Sequence, residues 1–162
     1  MVIINELPFG LAGRVFSSPM PFGSFDPGGQ AYDDFRSESV SVIVMLTEEG
    51  EDMEITGIDL RNRYEEAGMS VIRLPILDFT IPPKGYFDET IEKLISHAKK
   101  GNNAAFHCHA GLGRTGMMAA LMAKRLLGIS GLEAVSWVRQ SIPNAIPSAD
   151  QARYVIEDGG KK

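Results

Sequence analysis

The chain has 162 residues, which fits one domain, and its 44% hydrophobic content is ordinary for a globular core. A net charge of −5 argues against nucleic acid as the main partner, because phosphate-backbone binding needs a basic surface. One cysteine excludes an intrachain disulfide, and no apolar run approaches the roughly 18 residues of a membrane span. We therefore expect one cytoplasmic, monomeric domain over residues 1–162.

The first part of the chain predicts a turn-rich entry followed by a helix and a strand. Residues 8–29 are rich in proline and glycine, which favours turns, with one short strand over residues 14–16. Residues 30–38 are compatible with a short helix. The run over residues 39–46 is rich in valine and isoleucine and predicts a buried strand.

A second helix and strand follow. Thr56 and Asp59 resemble a capping box, so we expect a helix over residues 60–67, which Gly68 is suited to end. Residues 71–77 predict the next strand.

The second half of the chain predicts a proline-containing loop over residues 79–85, a helix over 86–100 and a short strand that ends at His107. Further helices are expected over residues 115–127, 132–140 and 149–157. The first of these is apolar on most sides, which predicts a central buried helix; the alternative is a methionine-rich partner-binding face. Alternating strands and helices favour an α/β sheet with helices on its faces.

The segment 107–116, HCHAGLGRTG, carries the most chemical information. Cys108 is followed by five residues and then Arg114, between a predicted strand and a predicted helix. The thiolate is the nucleophilic form of cysteine, and backbone amides and the dipole at a helix N-terminus stabilise an anion. We expect Gly111 and Gly113 to adopt positive φ and to bring amides close to a tetrahedral oxyanion.

The residues after the cysteine are suited to bind phosphate. The guanidinium of Arg114 can hold two phosphate oxygens, and Thr115 can donate a hydrogen bond to the sulfur when the thiolate is expelled. The spacer predicted to cradle the phosphate consists of His109, Ala110, Gly111, Leu112 and Gly113. A small core cysteine is the alternative for Cys108, and a satisfied core histidine is the alternative for His107 to a tuning role.

The motif HCHAGLGRTG resembles the signature loop of the cysteine-dependent protein tyrosine phosphatase superfamily, and AGLGRTG looks most like its dual-specificity branch. The resemblance implies a central mixed, largely parallel β-sheet flanked by α-helices. It also implies a two-step reaction in which Cys108 attacks phosphorus and water hydrolyses the cysteinyl-phosphate. No metal or cofactor is implied, and the expected partner is a phosphorylated protein or peptide.

The resemblance implies a general acid on a loop upstream of the cysteine, ahead of a proline. Asp78 fits, with Pro82 after it, although the family's Trp-Pro-Asp triplet is absent. The alternative is a loop residue that caps Thr80 or Ile81.

A family glutamine that positions the attacking water in the second step matches Gln151. The alternative is a capping box in which Gln151 reaches back to the helix start at Ser148. Asp150 is a further candidate for a carboxylate acting in that step.

Phe22 and Phe25 are candidate walls of the pocket, and no recognition loop of the type Lys-Asn-Arg-Tyr is present. By the resemblance to this superfamily, the absence of that loop implies a shallow cleft that admits phosphotyrosine and also phosphoserine and phosphothreonine. A phosphatase for phosphoinositides or other small phosphomonoesters is an alternative, although the spacer contains no lysine. A phosphopeptide-binding module without turnover and a thiol redox protein are further alternatives; the redox protein lacks a resolving cysteine.

Overall fold

The computed structural model describes residues 3–158. Its sheet has five strands in the order β1-β2-β5-β3-β4, with β1 antiparallel to β2 and the other neighbouring pairs parallel. The strands are β1 (Asn5–Leu7), β2 (Val15–Ser18), β3 (Val40–Met45), β4 (Ser70–Arg73) and β5 (Asn103–His107). The predicted α/β class, with a mixed and largely parallel sheet, is confirmed.

The helices are α1 (Gln30–Ser37), α2 (Glu51–Thr56), α3 (Leu60–Glu66), α4 (Asp88–Lys99), α5 (Gly113–Leu127), α6 (Gly131–Ser141) and α7 (Ala149–Glu157). Helix α7 has the predicted bounds, and α1, α3, α4 and α6 lie within one or two residues of theirs. Among residues 3–158, no helix combines the length and the apolar composition needed to cross a membrane. The C-terminal residues 159–162, expected to fray together with Asp158, lie outside the described residues.

The prediction that Thr56 starts a helix is wrong. Thr56 is the last residue of α2, and its hydroxyl donates to the Asp52 carbonyl at 2.7 Å. Asp59 caps α3 instead, because its side chain accepts a hydrogen bond from the Asn62 amide at 3.1 Å. Helix α2 was not predicted, since its six residues show no apolar periodicity.

A strand was predicted over residues 71–77, but β4 is shorter. It ends at Arg73, two residues before Pro75. A proline has no amide hydrogen for the ladder, so the regular strand ends before it, and the isolated Leu74 and Ile76 amides still donate to the Met45 and Leu46 carbonyls, at 3.0 and 3.3 Å. Strand β1 has no counterpart among the predicted elements, because three residues carry too little pattern.

The sheet separates two apolar clusters, and alternate residues of a strand enter different clusters. In β3, Val42 and Val44 pack with α4, α5, α6 and α7, whereas Ile43 and Met45 pack with α1 and α3. Residues 114–123 of α5 are all buried, which confirms a central helix and excludes the methionine-rich partner-binding face. Helix α5 begins at Gly113, two residues earlier than predicted.

The carboxyl ends of the parallel strands share one edge of the sheet. The segment after β3 contacts the end of β5, since the Leu46 amide donates to the His107 carbonyl at 2.9 Å. The segment after β2 contacts the residues after β5, since the Met20 amide donates to the His109 carbonyl at 2.9 Å. Open α/β sheets bind ligands at this edge.

Candidate active site

The loop between β5 and α5 begins at Cys108 and turns at Gly111. Gly111 has φ +79°, as predicted, and a Cβ there would lie 2.8 Å from the backbone nitrogen of Pro19. Any side chain at this position would therefore be strained and would collide with the backbone after β2. The loop is fixed from its other side as well, because the Ile146 amide donates to the Leu112 carbonyl at 3.1 Å.

The loop amides are available for a ligand. Within residues 3–158, the backbone amides of His109, Ala110, Gly111 and Leu112 have no protein acceptor. Backbone N–H groups ahead of a helix N-terminus form an anion-binding concavity. This loop therefore has the chemistry of an oxyanion site.

Gly113 does not adopt the predicted positive φ; the prediction is wrong for this residue. It is the first residue of α5, and a Cβ on it would lie 2.9 Å from Nε2 and 3.0 Å from Oε1 of Gln151. A glycine at this position therefore leaves room for the Gln151 side chain to pack against the start of α5.

Cys108 is buried at 2% exposure, and the Thr115 hydroxyl donates a hydrogen bond to its Sγ at 3.0 Å. This is the contact predicted for Thr115, and it places a donor on the sulfur from inside the first turn of α5.

His107 points inward. Its Nδ1 lies 3.0 Å from the Cys108 carbonyl oxygen and its Nε2 lies 2.8 Å from the Tyr64 hydroxyl. Burial lowers the pKa of His107 to about 4 and raises the pKa of Tyr64 well above its usual range. The imidazole is therefore neutral at physiological pH and braces the backbone of the cysteine loop.

Arg114 is fully buried, and its two terminal nitrogens meet the Glu51 carboxylate at 2.9 and 2.8 Å. Burial raises the pKa of Glu51, but hydrogen bonds from Arg114 and from the Glu48 amide outweigh it and lower that pKa overall. Burial lowers the pKa of Arg114, but the Glu51 carboxylate outweighs it, together with the charges of Cys108 and Asp78. The guanidinium is thus always charged and held in one orientation.

The Nε of Arg114 faces no protein acceptor within the described residues, although it is buried. Among the described residues, four buried side-chain atoms have no hydrogen-bond partner. Three of them belong to this site: Arg114 Nε, His109 Nε2 and Gln151 Oε1. Buried polar groups are normally hydrogen-bonded, so their grouping around one cleft indicates a polar ligand.

Glu51 was missed from the sequence. It lies in α2, and 63 residues separate it from Arg114. One signal could have found it: Glu51 follows strand β3, which pairs in parallel with β5, so its segment emerges beside the cysteine loop.

Asp78 lies on the loop after β4, and its Oδ2 is 3.3 Å from the Arg114 guanidinium. Its Oδ1 accepts a hydrogen bond from the Phe79 amide at 3.0 Å, so it does not cap Thr80 or Ile81 as in the alternative. The carboxylate is about one-third exposed, at 35%, and it faces the cleft that contains Cys108.

Gln151 is buried at 2% exposure in the first turn of α7. Its backbone amide donates to the Ser148 hydroxyl at 3.4 Å, but its side chain turns into the cleft and closes no capping box. Asp150 is excluded from the cleft, since its side chain is 74% exposed and pairs with Arg153 at 3.4 Å.

These residues surround a cleft of about 400 Å³. Its walls include Phe25, whose ring meets that of His109 edge-on with centroids 5.4 Å apart, and Phe79, which is 83% exposed. Phe22 is not a wall, which corrects the prediction: the Arg63 guanidinium lies 5.1 Å from the centre of its ring. The lining residues are Phe25, Asp78, Phe79, Cys108, His109, Ala110, Leu112, Gly113, Pro147 and Gln151.

Comparison with known proteins agrees with this geometry. A family model described as "Tc-R-P: Polymorphic toxin system, DSP-PTPase phosphatase" matches residues 21–126. Tyrosine-protein phosphatase cdc-14 of Caenorhabditis elegans is 30% identical over 126 residues, which cover 78% of this chain and 16% of that protein. The chain thus corresponds to a small part of this relative's length.

Among solved structures, kinase associated phosphatase superimposes with a TM-score of 0.85 at 22% identity, over 97% of this chain and 94% of that one. Tk-PTP in its active form superimposes with a TM-score of 0.76 at 26% identity, over 93% of each chain. These likenesses confirm the phosphatase-like fold implied by the signature loop. Because the family model covers well over half of the sequence, the chain belongs to the dual-specificity branch of the cysteine-dependent protein tyrosine phosphatase superfamily.

Proposed function

We propose that the chain is a metal-independent phosphatase that hydrolyses phosphotyrosine, and also phosphoserine and phosphothreonine, in proteins through a cysteinyl-phosphate intermediate. The observation that carries the proposal is the grouping of Cys108, Asp78 and Gln151 around one cleft, with the unpartnered Nε of Arg114 behind it. A sulfur nucleophile, a carboxyl group, an amide and a fixed cation are the groups that two-step phosphoryl transfer needs.

Phosphate binding involves the free amides of residues 109–112 and the Nε of Arg114. Both terminal nitrogens of this guanidinium donate to the Glu51 carboxylate, so the edge formed by the two of them is not the one that takes phosphate. The Nε and the nitrogen shared with Asp78 form the edge of the guanidinium that is left for phosphate oxygens.

In the first step, the Cys108 thiolate attacks phosphorus, and the S–P bond forms as the ester P–O bond breaks. Asp78, as the carboxylic acid, donates its proton to the leaving oxygen, so that a neutral alcohol departs. Asp78 and Cys108 both line this cleft, which supports a transfer between them and one bound phosphate ester.

In the second step, water attacks the phosphorus of the cysteinyl-phosphate, and the S–P bond breaks. The Asp78 carboxylate takes the proton of that water, while the Gln151 side-chain oxygen, which has no protein donor among the described residues, orients it. The Thr115 hydroxyl, 3.0 Å from Sγ, stabilises the departing thiolate and completes the cycle.

Residues 1–162 act in this proposal as a single catalytic domain, monomeric and in the cytoplasm. A reducing compartment suits the proposal, because the one cysteine of the chain must stay a thiol or thiolate to react.

Turnover of p-nitrophenyl phosphate in the presence of EDTA tests the proposal, with Cys108→Ser as the variant that lacks the nucleophile. We expect release of nitrophenol from the parent, none from Cys108→Ser at an unchanged melting temperature, and a trapped 1:1 phospho-adduct on Cys108 after rapid acid quench. Tight binding of phosphopeptides by the parent without release of phosphate would instead identify a binding module.

A panel of phosphotyrosine, phosphoserine and phosphothreonine peptides and phosphoinositides then assigns the substrate class. We expect the phosphopeptides to be hydrolysed, since the cleft has exposed aromatic walls at Phe25 and Phe79 and no lysine in the loop. Hydrolysis confined to the phosphoinositides would overturn the assignment to proteins and leave the phosphatase chemistry intact.

A further inference from the structure

Arg73, the last residue of β4, lies outside the cleft but binds the segment that follows β3. One terminal nitrogen of its guanidinium donates to the carbonyl oxygens of Thr47, at 3.2 Å, and Glu48, at 2.9 Å. The other lies 3.8 Å from the Asp52 carboxylate. The side chain is only 14% exposed, so these contacts occur in a largely desolvated place.

These contacts lie on both sides of Glu51 in the chain. Before it, the Glu51 amide donates to the Glu48 carbonyl at 3.1 Å, and the Glu48 amide donates to the Glu51 carboxylate at 3.0 Å. After it, the second oxygen of buried Asp52 accepts the Leu60 amide at 2.9 Å, at the start of α3. Arg73 thus joins the two ends of the turn that presents Glu51.

Helix α2 makes few apolar contacts with the rest of the domain. It is six residues long, and an isolated helix of this length is not stable in water. Its only buried residue is Asp52, whereas Met53 is 50% and Ile55 is 37% exposed. Because apolar packing contributes little here, polar contacts such as those of Arg73 determine where the helix sits.

We propose that Arg73 is a positioning residue of the phosphatase site: it fixes the segment 47–52 so that Glu51 holds the Arg114 guanidinium in its phosphate-binding orientation. The inference rests on the proposed function. Arg73 touches neither substrate nor sulfur, and its effect on phosphate passes through Glu51. A purely structural Arg73, which only neutralises Asp52, would affect stability and leave oxyanion binding unchanged.

The experiment compares Arg73→Met with the parent and with Arg14→Met. Arg14 is a suitable control because it also hydrogen-bonds two glutamates, Glu6 and Glu38, but at the opposite end of strand β2 from the cysteine loop. The readouts are the dissociation constant of tungstate by calorimetry, kcat and KM on p-nitrophenyl phosphate, and the melting temperature. All are measured at a temperature where each variant is folded.

We expect Arg73→Met to weaken tungstate binding and to lower kcat/KM by about tenfold or more, since misplacement of a binding group by about 1 Å is that costly. In a Glu51→Gln background, Arg73→Met should change either value less than twofold, because the path from Arg73 to Arg114 is already interrupted. Arg14→Met should match the parent in both values.

Tungstate affinity within twofold of the parent in folded Arg73→Met, or effects that multiply in the double variant, would overturn the inference. If Arg73→Met does not fold, Arg73→Lys replaces it. That variant keeps the charge beside Asp52 but loses the fork, so parent-like tungstate affinity would also overturn the inference. A parent chain that neither turns over phosphate esters nor binds tungstate refutes the proposed function itself, which is a distinct result.

Discussion

Protonation of His107 is expected to destabilise the folded chain at acid pH. The Cys108 carbonyl can only accept a hydrogen bond, so Nδ1 of the neutral ring carries the hydrogen. Nε2 then accepts from the Tyr64 hydroxyl, which stays protonated because burial raises the pKa of Tyr64. A second proton on Nε2 would face the Tyr64 hydroxyl hydrogen and leave a charge without a partner in the core.

The size of the effect follows from the pKa of His107, which is about 4 in the folded chain against an ordinary value of 6.5. The unfolded chain binds the proton more readily, so stability is full above pH 6.5, falls as pH decreases and levels off below pH 4. The difference corresponds to a limit of about 3 kcal/mol, of which about 2 kcal/mol is lost between pH 7 and pH 5.

Urea unfolding at pH 7, 6 and 5 measures this loss, with His107→Gln as the variant that cannot titrate. We expect the variant to be less stable at pH 7 but to lose about 2 kcal/mol less than the parent between pH 7 and pH 5. Equal slopes in the parent and in His107→Gln would refute the reasoning.

Three further predictions concern the cleft. Asp78→Asn should lower kcat strongly on phosphotyrosine and much less on p-nitrophenyl phosphate, because acid assistance matters most for poor leaving groups; equal losses would remove Asp78 from the acid role. Arg114→Lys should raise the phosphate inhibition constant at least about tenfold, since a single ammonium cannot keep both contacts with Glu51; a parent-like constant would contradict the described geometry. Gly113→Ala should change the melting temperature little but slow breakdown of the cysteinyl-phosphate, because the new Cβ displaces Gln151, and an unchanged breakdown rate in rapid-quench experiments would exclude that role.

The features predicted from the sequence are those with a local pattern. The cysteine loop is contiguous, so its candidate nucleophile, its cation and the Thr115 contact could be inferred from one segment of ten residues. Helix α7 has a serine at its start and a regular apolar period, and its predicted bounds agree with the structure. Local rules of this kind depend on nearest neighbours along the chain.

The features that were missed depend on distant contacts. Glu51 lies in a short helix without periodicity, and only the parallel pairing of β3 and β5 brings it to Arg114. From the sequence, Gly113 was expected to adopt positive φ. In the structure, a glycine is required there for another reason: the Gln151 side chain, 38 residues further along the chain, lies too close for a Cβ. Such requirements come from tertiary packing, which composition and spacing do not encode.

The charges around the Cys108 sulfur connect phosphate binding with the acid role proposed for Asp78. Arg114 is already balanced by Glu51, and Asp78 and a Cys108 thiolate add two further negative charges before any phosphate arrives. The chain as a whole, at −5, offers no general attraction for an anion. In the proposed mechanism, a phosphate dianion is therefore bound by uncharged donors, the loop amides of residues 109–112, and it competes with Asp78 for one edge of the guanidinium. A proton on Asp78 relieves this competition, and the same proton is the one that the leaving oxygen requires. In the proposed mechanism, Asp78 gives this proton to the leaving oxygen in the first step, and the ionised Asp78 left afterwards accepts a proton from water in the second step.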